Sequence, residues 1–247
     1  MNRKELEIAT EDVFKKICNS FGFFRINGIG GFKKITDKHI FSITSAQLRT
    51  QGIYDNQFEY SIGGNCTILE IENVWQDLYY LTRPESEFTN QLKEVVPFTY
   101  NVDYKKEELK EMFPNNVRDT GWLYFKITKE GIANFEKVIT HIIQELLIPQ
   151  LSYPISIAEL DKNVNSQIEL KKLDSYLISK NGFIYRRIIL AKLNNNPLFE
   201  QICNFQRLGF KQYEEISNQK GYEHFKNIPN IFEKVYERLN NNTIANS

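Results

Sequence analysis

Apolar residues in the first part of the chain follow two spacings, one typical of a helix and one typical of strands. Between residues 4 and 20 the apolar positions recur every three or four residues, which predicts an amphipathic helix. Short apolar runs then alternate with polar turn residues, and the clearest runs lie at 32–35, 40–48 and 57–62. Short strands joined by short turns are typical of an antiparallel meander, so this part of the chain predicts an antiparallel sheet.

One long amphipathic helix is predicted in the middle of the chain, directly after a further strand. Residues 122–127 alternate in a way that indicates a strand buried on at least one face. Apolar residues over 132–147 then form a broad helical stripe, with Thr128 as a cap at its start and Pro149 as its end. This stripe is wide enough to lie across the sheet as the main core helix. Residues 68–78 suit a helix or a strand, and their spacing leaves both open.

The last third of the chain predicts helices alone. Apolar stripes with helical spacing occur at 170–177, 184–193, 198–205 and 232–239. The dipeptide Asn196-Pro197 is expected to begin the third of these helices, because it supplies a cap and a proline for the first turn. Gly209 is expected to end the same helix.

Together these elements predict an α+β fold. We expect an antiparallel sheet of about four to six strands, packed by the N-terminal helix and the long helix and followed by an all-helical C-terminal part. The corresponding domains are residues 1–163, the sheet domain, and residues 164–247, a helical subdomain packed on it. At 247 residues the chain is long enough to bury a full hydrophobic core.

Composition narrows the classes of partner. The chain has 31 Lys plus Arg and 31 Asp plus Glu, so no net charge attracts nucleic acid, and a nucleic-acid partner is disfavoured. No apolar run approaches the ~20 residues that span a bilayer, and the charged N-terminus does not resemble a secretory signal. We therefore expect a cytoplasmic protein without a membrane partner. The three cysteines are widely spaced, which predicts buried, reduced thiols.

Two glycine-rich stretches raise the question of a phosphate-binding loop. Residues 27–31 are NGIGG and precede two lysines, while residues 63–65 are GGN. A dinucleotide-binding fingerprint needs a third glycine where Lys33 stands, and the spacing of a P-loop is absent. The dipeptide Asn27-Gly28 is instead strongly preferred in hairpin turns. We therefore predict hairpin turns at both stretches, with a phosphate cradle as the alternative.

The sequence contains no recognised catalytic or metal-binding pattern. The three histidines lack the spacing of metal ligands, and no serine stands in a nucleophile elbow. We predict no catalytic residue, no bound metal and no cofactor. The basic residues that suggest charged sheet edges are Lys33, Lys34, Lys38, Arg186 and Arg187. Charges at such edges discourage pairing with strands of neighbouring molecules.

The order of several short motifs resembles that of one protein family. A first helix is followed by Gly22-Phe23, a strand, Gln47 late in the next strand, Phe58-x-x-x-Ile62-Gly63, Val117-Arg118, Gly121-Trp122, a long helix and a proline. This order is similar to that of the bacterial domain-of-unknown-function family four-three-zero-four, over roughly the first two thirds of the chain. The resemblance implies an α+β domain with an antiparallel sheet and no established catalytic activity. It also implies a genetic setting among toxin-immunity or phage-defence genes.

Two functions remain open at this point. The first is a non-enzymatic factor, associated with toxin immunity or defence, that binds a protein partner through an aromatic row of Phe58, Tyr60, Trp122 and Tyr124. The alternative for these rings is packing beneath the helices. The second function is a module or enzyme that binds a nucleotide or phosphate-bearing ligand at the glycine turns, using Lys33, Lys34, Gln47 and Arg118. The sequence leaves the partner's identity and the oligomeric state open.

Overall fold

A computed structural model of the chain describes residues 2–25, 31–49, 56–79, 98–102, 104–118, 122–169, 183–217 and 228–241. The chain divides into two compact units, each formed by two separate stretches. The sheet unit comprises Met1–Cys66 and Asn101–Pro154, and the helical unit comprises Thr67–Tyr100 and Ile155–Ser247. The domain boundary predicted after residue 163 stays a prediction.

The strands form an open antiparallel sheet, which confirms the predicted α+β fold. In chain order they are β1 (Phe24–Arg25), β2 (Gly31–Ile35), β3 (His39–Arg49), β4 (Gln57–Ile68), β5 (Tyr100–Val102) and β6 (Leu123–Lys126). Their order across the sheet is β1-β2-β3-β4-β5, and β6 also pairs with β4. Because β3 occupies one edge of β4, the two short strands β5 and β6 share its other edge. The sequence did not predict β5.

Two helices of the sheet unit begin at side chains that cap their first turns. The helix α1 (Arg3–Ser20) starts with a capping box, in which Asn2 and Glu5 each accept a hydrogen bond from the other's backbone N–H at 2.9 Å. The helix α4 (Lys129–His141) starts at Thr128, whose Oγ1 accepts a backbone hydrogen bond at 3.0 Å. The predicted N-terminal helix and the predicted Thr128 cap are both confirmed.

Aromatic rings form the contact between the sheet and these two helices. The ring of Tyr60 in β4 lies 6.2 Å from the ring of Phe14 in α1 and 4.8 Å from the ring of Phe135 in α4. The ring of Phe58 lies 5.7 Å from that of Phe135. Burial of each such ring stabilises the unit by roughly 1.5–3 kcal/mol. The two helices predicted to pack the sheet therefore do so.

The end of the long helix predicted at Pro149 is wrong. The chain continues from α4 into a π-helical segment, Ile142–Leu147, and then into α5 (Ile148–Ser152). Pro149 lies in the first turn of α5, where a missing backbone N–H costs no hydrogen bond. Because the π-helical segment ends at Leu147, a new helix begins at Ile148. Pro149 therefore fits in its first turn.

The remaining helices lie mostly in the helical unit. They are α2 (Leu69–Tyr79), α6 (Ile157–Asn165), α7 (Phe183–Leu193), α8 (Phe199–Ser217) and α9 (Ile228–Asn241), while α3 (Lys106–Met112) belongs to the sheet unit. The segment that suited a helix or a strand is therefore the helix α2. The sequence did not predict α6. The stripe predicted at 170–177 lies outside the described residues.

The limits of α8 follow one local prediction and contradict another. The Oδ1 atom of Asn196 accepts a hydrogen bond from the backbone N–H of Leu198 at 2.8 Å, so the predicted start is confirmed. Gly209 lies inside α8, so the predicted end is wrong. A glycine within a helix costs about 1 kcal/mol relative to alanine. Packing on its neighbour offsets this cost, since the ring of Phe210 lies 5.0 Å from that of Phe232 in α9.

The two adjacent arginines of α7 are buried within the helical unit, so the prediction that they form a basic sheet edge is wrong. Arg186 is 1% exposed and forms an ion pair with Glu72 of α2. Arg187 is 0% exposed and donates to Oδ1 of Asn165 at 2.8 Å and to two backbone carbonyl groups. These partners replace most of the water that would surround an exposed guanidinium, although Nη1 of Arg187 has no hydrogen-bond partner among the described residues.

Candidate functional site

The predicted aromatic row is divided between the two faces of the sheet. Phe58 and Tyr60 are 0% and 4% exposed and point into the core. Burial also raises the pKa of Tyr60 to about 12. Trp122 and Tyr124 are half-buried on the opposite face, called the outer face here, on which Glu59 stands opposite Tyr124. The four rings therefore do not share one surface.

The predicted residues of β2 and β3 are also divided between the two faces. Lys34 is exposed, whereas Lys33 is 7% exposed and lies on the outer face opposite Ser42. Burial lowers the pKa of the Lys33 amine below its ordinary value. Gln47 faces α1, where its Oε1 accepts a hydrogen bond from Oγ1 of Thr10 at 2.7 Å. These residues do not converge on one ligand site.

Arg118 lies on the outer face and contacts the strand pair β4 and β6. Its Nη1 lies 2.9 Å from Oε1 of Glu59, and its Nη2 donates to Oε1 of Gln57 at 3.2 Å. Its guanidinium carbon also lies 4.6 Å from the centre of the Tyr124 ring, a cation–π contact. These contacts hold Arg118 against the sheet and neutralise Glu59.

A pocket of about 470 Å³ opens on the outer face, and its described lining includes Trp122 of the predicted aromatic row and the glycine-rich residues 63–65. We call it the sheet pocket. Its lining comes from β3 (Thr44, Ser45, Ala46), β4 (Ser61, Ile62, Gly63, Gly64, Asn65), β5 and α3 with the segment between them (Asn101, Tyr104, Lys106), and Trp122 beside β6. All of these residues belong to the sheet unit.

The pocket exists because small residues occupy the outer face of β4. A Cβ atom added to Gly63 would meet no atom of the described residues within 4 Å, so the space above this residue is open. A Cβ atom added to Gly64 would meet the side chains of Val102 at 3.1 Å and Leu147 at 3.3 Å, so this glycine faces the core. The two glycines thus have opposite roles: Gly63 forms the pocket floor, and Gly64 allows close packing behind it.

The pocket lies beside the point along β4 at which its partner strand changes from β6 to β5. The strand β6 pairs with Gln57 to Tyr60 at one end of β4, while β5 pairs elsewhere along the same edge. The hydroxyl of Tyr104 donates to the backbone carbonyl of Ile62 at 3.1 Å. The side chain of Tyr104 therefore satisfies the backbone carbonyl of Ile62 close to the point where the partner strand changes. The same side chain lines the pocket.

The lining provides hydrogen-bonding groups and one ammonium group. On the floor, Nδ2 of Asn65 donates to Oγ1 of Thr44 at 3.4 Å, a long hydrogen bond that leaves both polar groups capacity for further partners. Lys106 is the lysine among the described lining residues, which include no carboxylate. The arrangement suits a polar molecule that accepts hydrogen bonds.

The sequence contained a signal for this pocket that the turn prediction hid. Ser61, Gly63 and Asn65 alternate along one face of a strand, and such a row of small residues leaves space above it. The hairpin turn predicted at 63–65 is wrong, because these residues lie inside β4. Gly28 and Gly30 lie outside the described residues, although the strands on either side of them, β1 and β2, pair antiparallel.

Comparison with known proteins adds no relative to this picture, since no protein-family model, curated protein or solved structure matches the chain. The resemblance to family four-three-zero-four therefore stays a prediction. Within the described part of the chain, no helix has the length and apolar character needed to cross a membrane. The same residues contain no group of three or more His, Cys, Asp or Glu side chains arranged to hold a metal ion. The three cysteines are buried, as predicted.

Proposed function

We propose that the sheet unit is a binding module that holds a small polar molecule in the sheet pocket. The observation that carries this proposal is the open floor at Gly63, above which the surrounding strands and Trp122 line an open pocket of about 470 Å³. Pockets for small ligands have volumes of about 300–1,000 Å³. The module acts by binding, in the cytoplasm, without a catalytic step of its own.

The chemistry of the lining supports a polar ligand. Hydroxyl groups of Thr44 and Ser61 and amide groups of Asn65 and Asn101 come from three different strands. Their removal from water is unfavourable unless a ligand supplies matching hydrogen bonds. Polar groups distributed in this way give orientation and specificity, while the aromatic residues Tyr104 and Trp122 provide contact area.

A Gly63→Leu variant tests the proposal, because the leucine side chain fills the pocket without meeting another protein atom at its Cβ. A library of small polar metabolites is screened by ligand-observed NMR against the natural chain and the variant, with thermal unfolding as a control for folding. We expect compounds that bind the natural chain and bind the folded variant at least about tenfold more weakly. A library without any such compound contradicts the proposal.

Protein binding is the second candidate, since the outer face also carries exposed apolar side chains. Phe24 is 49% exposed opposite Lys33, and Ile35, two residues further along β2, is 52% exposed. These positions belong to the same face as Trp122 and Tyr124, so a partner surface there shares two rings with the predicted aromatic row and leaves out the two that point into the core. Affinity purification with the natural chain and a Phe24→Ser, Ile35→Ser variant checks this candidate. A partner held equally well by both proteins would contradict it.

A further inference from the structure

We infer that the ligand of the sheet pocket is a small organic anion, with Lys106 as its charge partner and Arg118 as the residue that keeps the neighbouring carboxylate neutral. This inference rests on the proposed function and adds the chemical class of the ligand. It is carried by the charges around the pocket and by the ion pair on the adjoining part of β4.

The described lining of the pocket carries a positive charge. Lys106 is exposed at the first position of α3 and carries the positive charge among the described lining residues. Nζ of the adjacent Lys105 lies 3.2 Å from Oε1 of Glu108 in an exposed ion pair, so the charge of Lys105 is compensated. Glu107, next to Lys106 in sequence, is not among the lining residues. The pocket therefore offers a cation to a ligand without a competing carboxylate in the described lining.

The acidic residue nearest to the pocket along β4 is Glu59. Glu59 lies two residues before Ser61, so both side chains stand on the outer face. Its carboxylate lies 2.9 Å from Nη1 of Arg118, and the two side chains are 21% and 30% exposed. Without Arg118, the carboxylate of Glu59 would repel an anion in the pocket. Arg118 thus acts on the ligand through Glu59 and is a positioning residue.

In the described lining, hydroxyl and amide groups accompany the ammonium group of Lys106, so the ligand combines an anionic group with several neutral hydrogen-bonding groups. Phosphate-bearing and carboxylate-bearing molecules share this chemistry. The experiment therefore uses one pair of each kind, adenosine monophosphate with adenosine and glucuronate with glucose, in which the members differ in their anionic group.

Affinities of the four probes are measured by isothermal titration calorimetry at low salt for the natural chain and four variants. The variants are Lys106→Met, Lys106→Arg, Arg118→Met and the double variant Glu59→Gln with Arg118→Met. We expect at least one anion to bind about tenfold more tightly than its neutral counterpart, and this preference to be lost in Lys106→Met and kept in Lys106→Arg. We expect Arg118→Met to weaken anion binding severalfold, and the double variant to restore it.

The outcomes separate this inference from the proposed function. Equal binding of an anion and its neutral counterpart, or failure of both anions to bind, overturns the inference. An anion preference that survives Lys106→Met also overturns it, and a double variant as weak as Arg118→Met removes the role given to Glu59. The wider screen with Gly63→Leu tests the pocket itself, and its result does not depend on ligand charge.

Discussion

The guanidinium group of Arg186 donates two hydrogen bonds to the carboxylate of Glu72, from Nε to Oε1 at 2.8 Å and from Nη2 to Oε2 at 2.9 Å. Both side chains are at most 2% exposed. The hydroxyl of Thr99 also donates to Oε1 of Glu72 at 2.8 Å and accepts the backbone N–H of Ile68 at 2.9 Å. A chain of hydrogen bonds thus runs through the interior of the helical unit.

Removal of one partner of this pair is expected to destabilise the protein strongly. Arg186→Met leaves the carboxylate of Glu72 buried without its counter-charge, and the expected loss in the free energy of unfolding is about 3–5 kcal/mol. The double variant Glu72→Leu with Arg186→Met removes both charges and should recover most of this loss. Urea unfolding at neutral pH measures both quantities.

The exposed pair Arg207–Glu233 serves as the control for that prediction. The side chains of Arg207 and Glu233 are 30% and 44% exposed, and Nε of the arginine lies 2.7 Å from Oε1 of the glutamate. Water screens such a pair, so Arg207→Met is expected to cost at most about 1 kcal/mol. If the Arg186→Met and Arg207→Met variants lose equal stability, the buried pair does not have the importance given to it.

Two adjacent glycines should respond in opposite ways to the same substitution. Gly64→Ala places a methyl group 3.1 Å from Val102 and 3.3 Å from Leu147, and we expect a loss of about 1–3 kcal/mol. Gly63→Ala enters open space, and we expect a gain of up to about 1 kcal/mol, since glycine weakens a strand interior. Thermal unfolding of the two variants checks this. Equal effects would contradict the opposite orientations of the two residues.

Lys33 should lower the free energy of unfolding by an amount that depends on pH. Its folded-state pKa is lowered by burial, so the protonated amine opposes folding below that pKa, and the penalty disappears as the pH rises to the ordinary value of 10.5. Lys33→Met is therefore expected to stabilise the protein at pH 7 by a few tenths to about 1 kcal/mol, and less at pH 10. Denaturant unfolding at both pH values measures the difference.

Lys34→Met is the matched control for this measurement, because Lys34 is the exposed neighbour of Lys33. Its effect on stability should be small, because this side chain is exposed to water. A gain for Lys33→Met that grows with pH would have the wrong sign and would contradict the prediction.

The buried thiols should be inert in the folded protein. Burial raises the pKa of Cys18 and of Cys203 to about 12, and the third thiol, Cys66, is 0% exposed. Since the thiolate is the reactive form, all three should react with a disulfide reagent at pH 8 only as fast as the protein opens. The same reagent in denaturant should modify three thiols at once. Rapid modification of the native protein would show that at least one thiol is accessible.

Local sequence patterns predicted the elements whose formation depends on near neighbours. The stripe of α1, the Thr128 cap and the alternation of β2 to β4 each depend on residues a few positions apart. Gly209 contradicts its local preference because α8 packs on α9 beside it, whereas Pro149 does so because the preceding π-helical segment makes Ile148 the start of a new helix. The sequence gives no sign that Arg186 is buried, because its partner Glu72 is 114 residues away.

The candidate site was harder to predict than the fold for the same reason. Trp122 was selected for its aromatic ring, and it does line the sheet pocket. Much of the remaining lining consists of serine, threonine, asparagine and glycine from strands in separate parts of the chain, and it forms a pocket only when those strands are assembled. Its shape depends on β5, a strand of three residues that has too little sequence of its own to be recognised.

The separation between Glu72 and Arg186 also has a consequence for synthesis on the ribosome. All of the sheet unit has been translated by Pro154, whereas Glu72 precedes its cationic partner by 114 residues. At a rate of synthesis of about 5–20 residues per second, Arg186 is added to the chain roughly 6–23 s after Glu72. Completion of the helical unit is therefore a late event in the life of the nascent chain, and a polypeptide released before α7 emerges would carry an acidic group where the mature protein has a neutralised one.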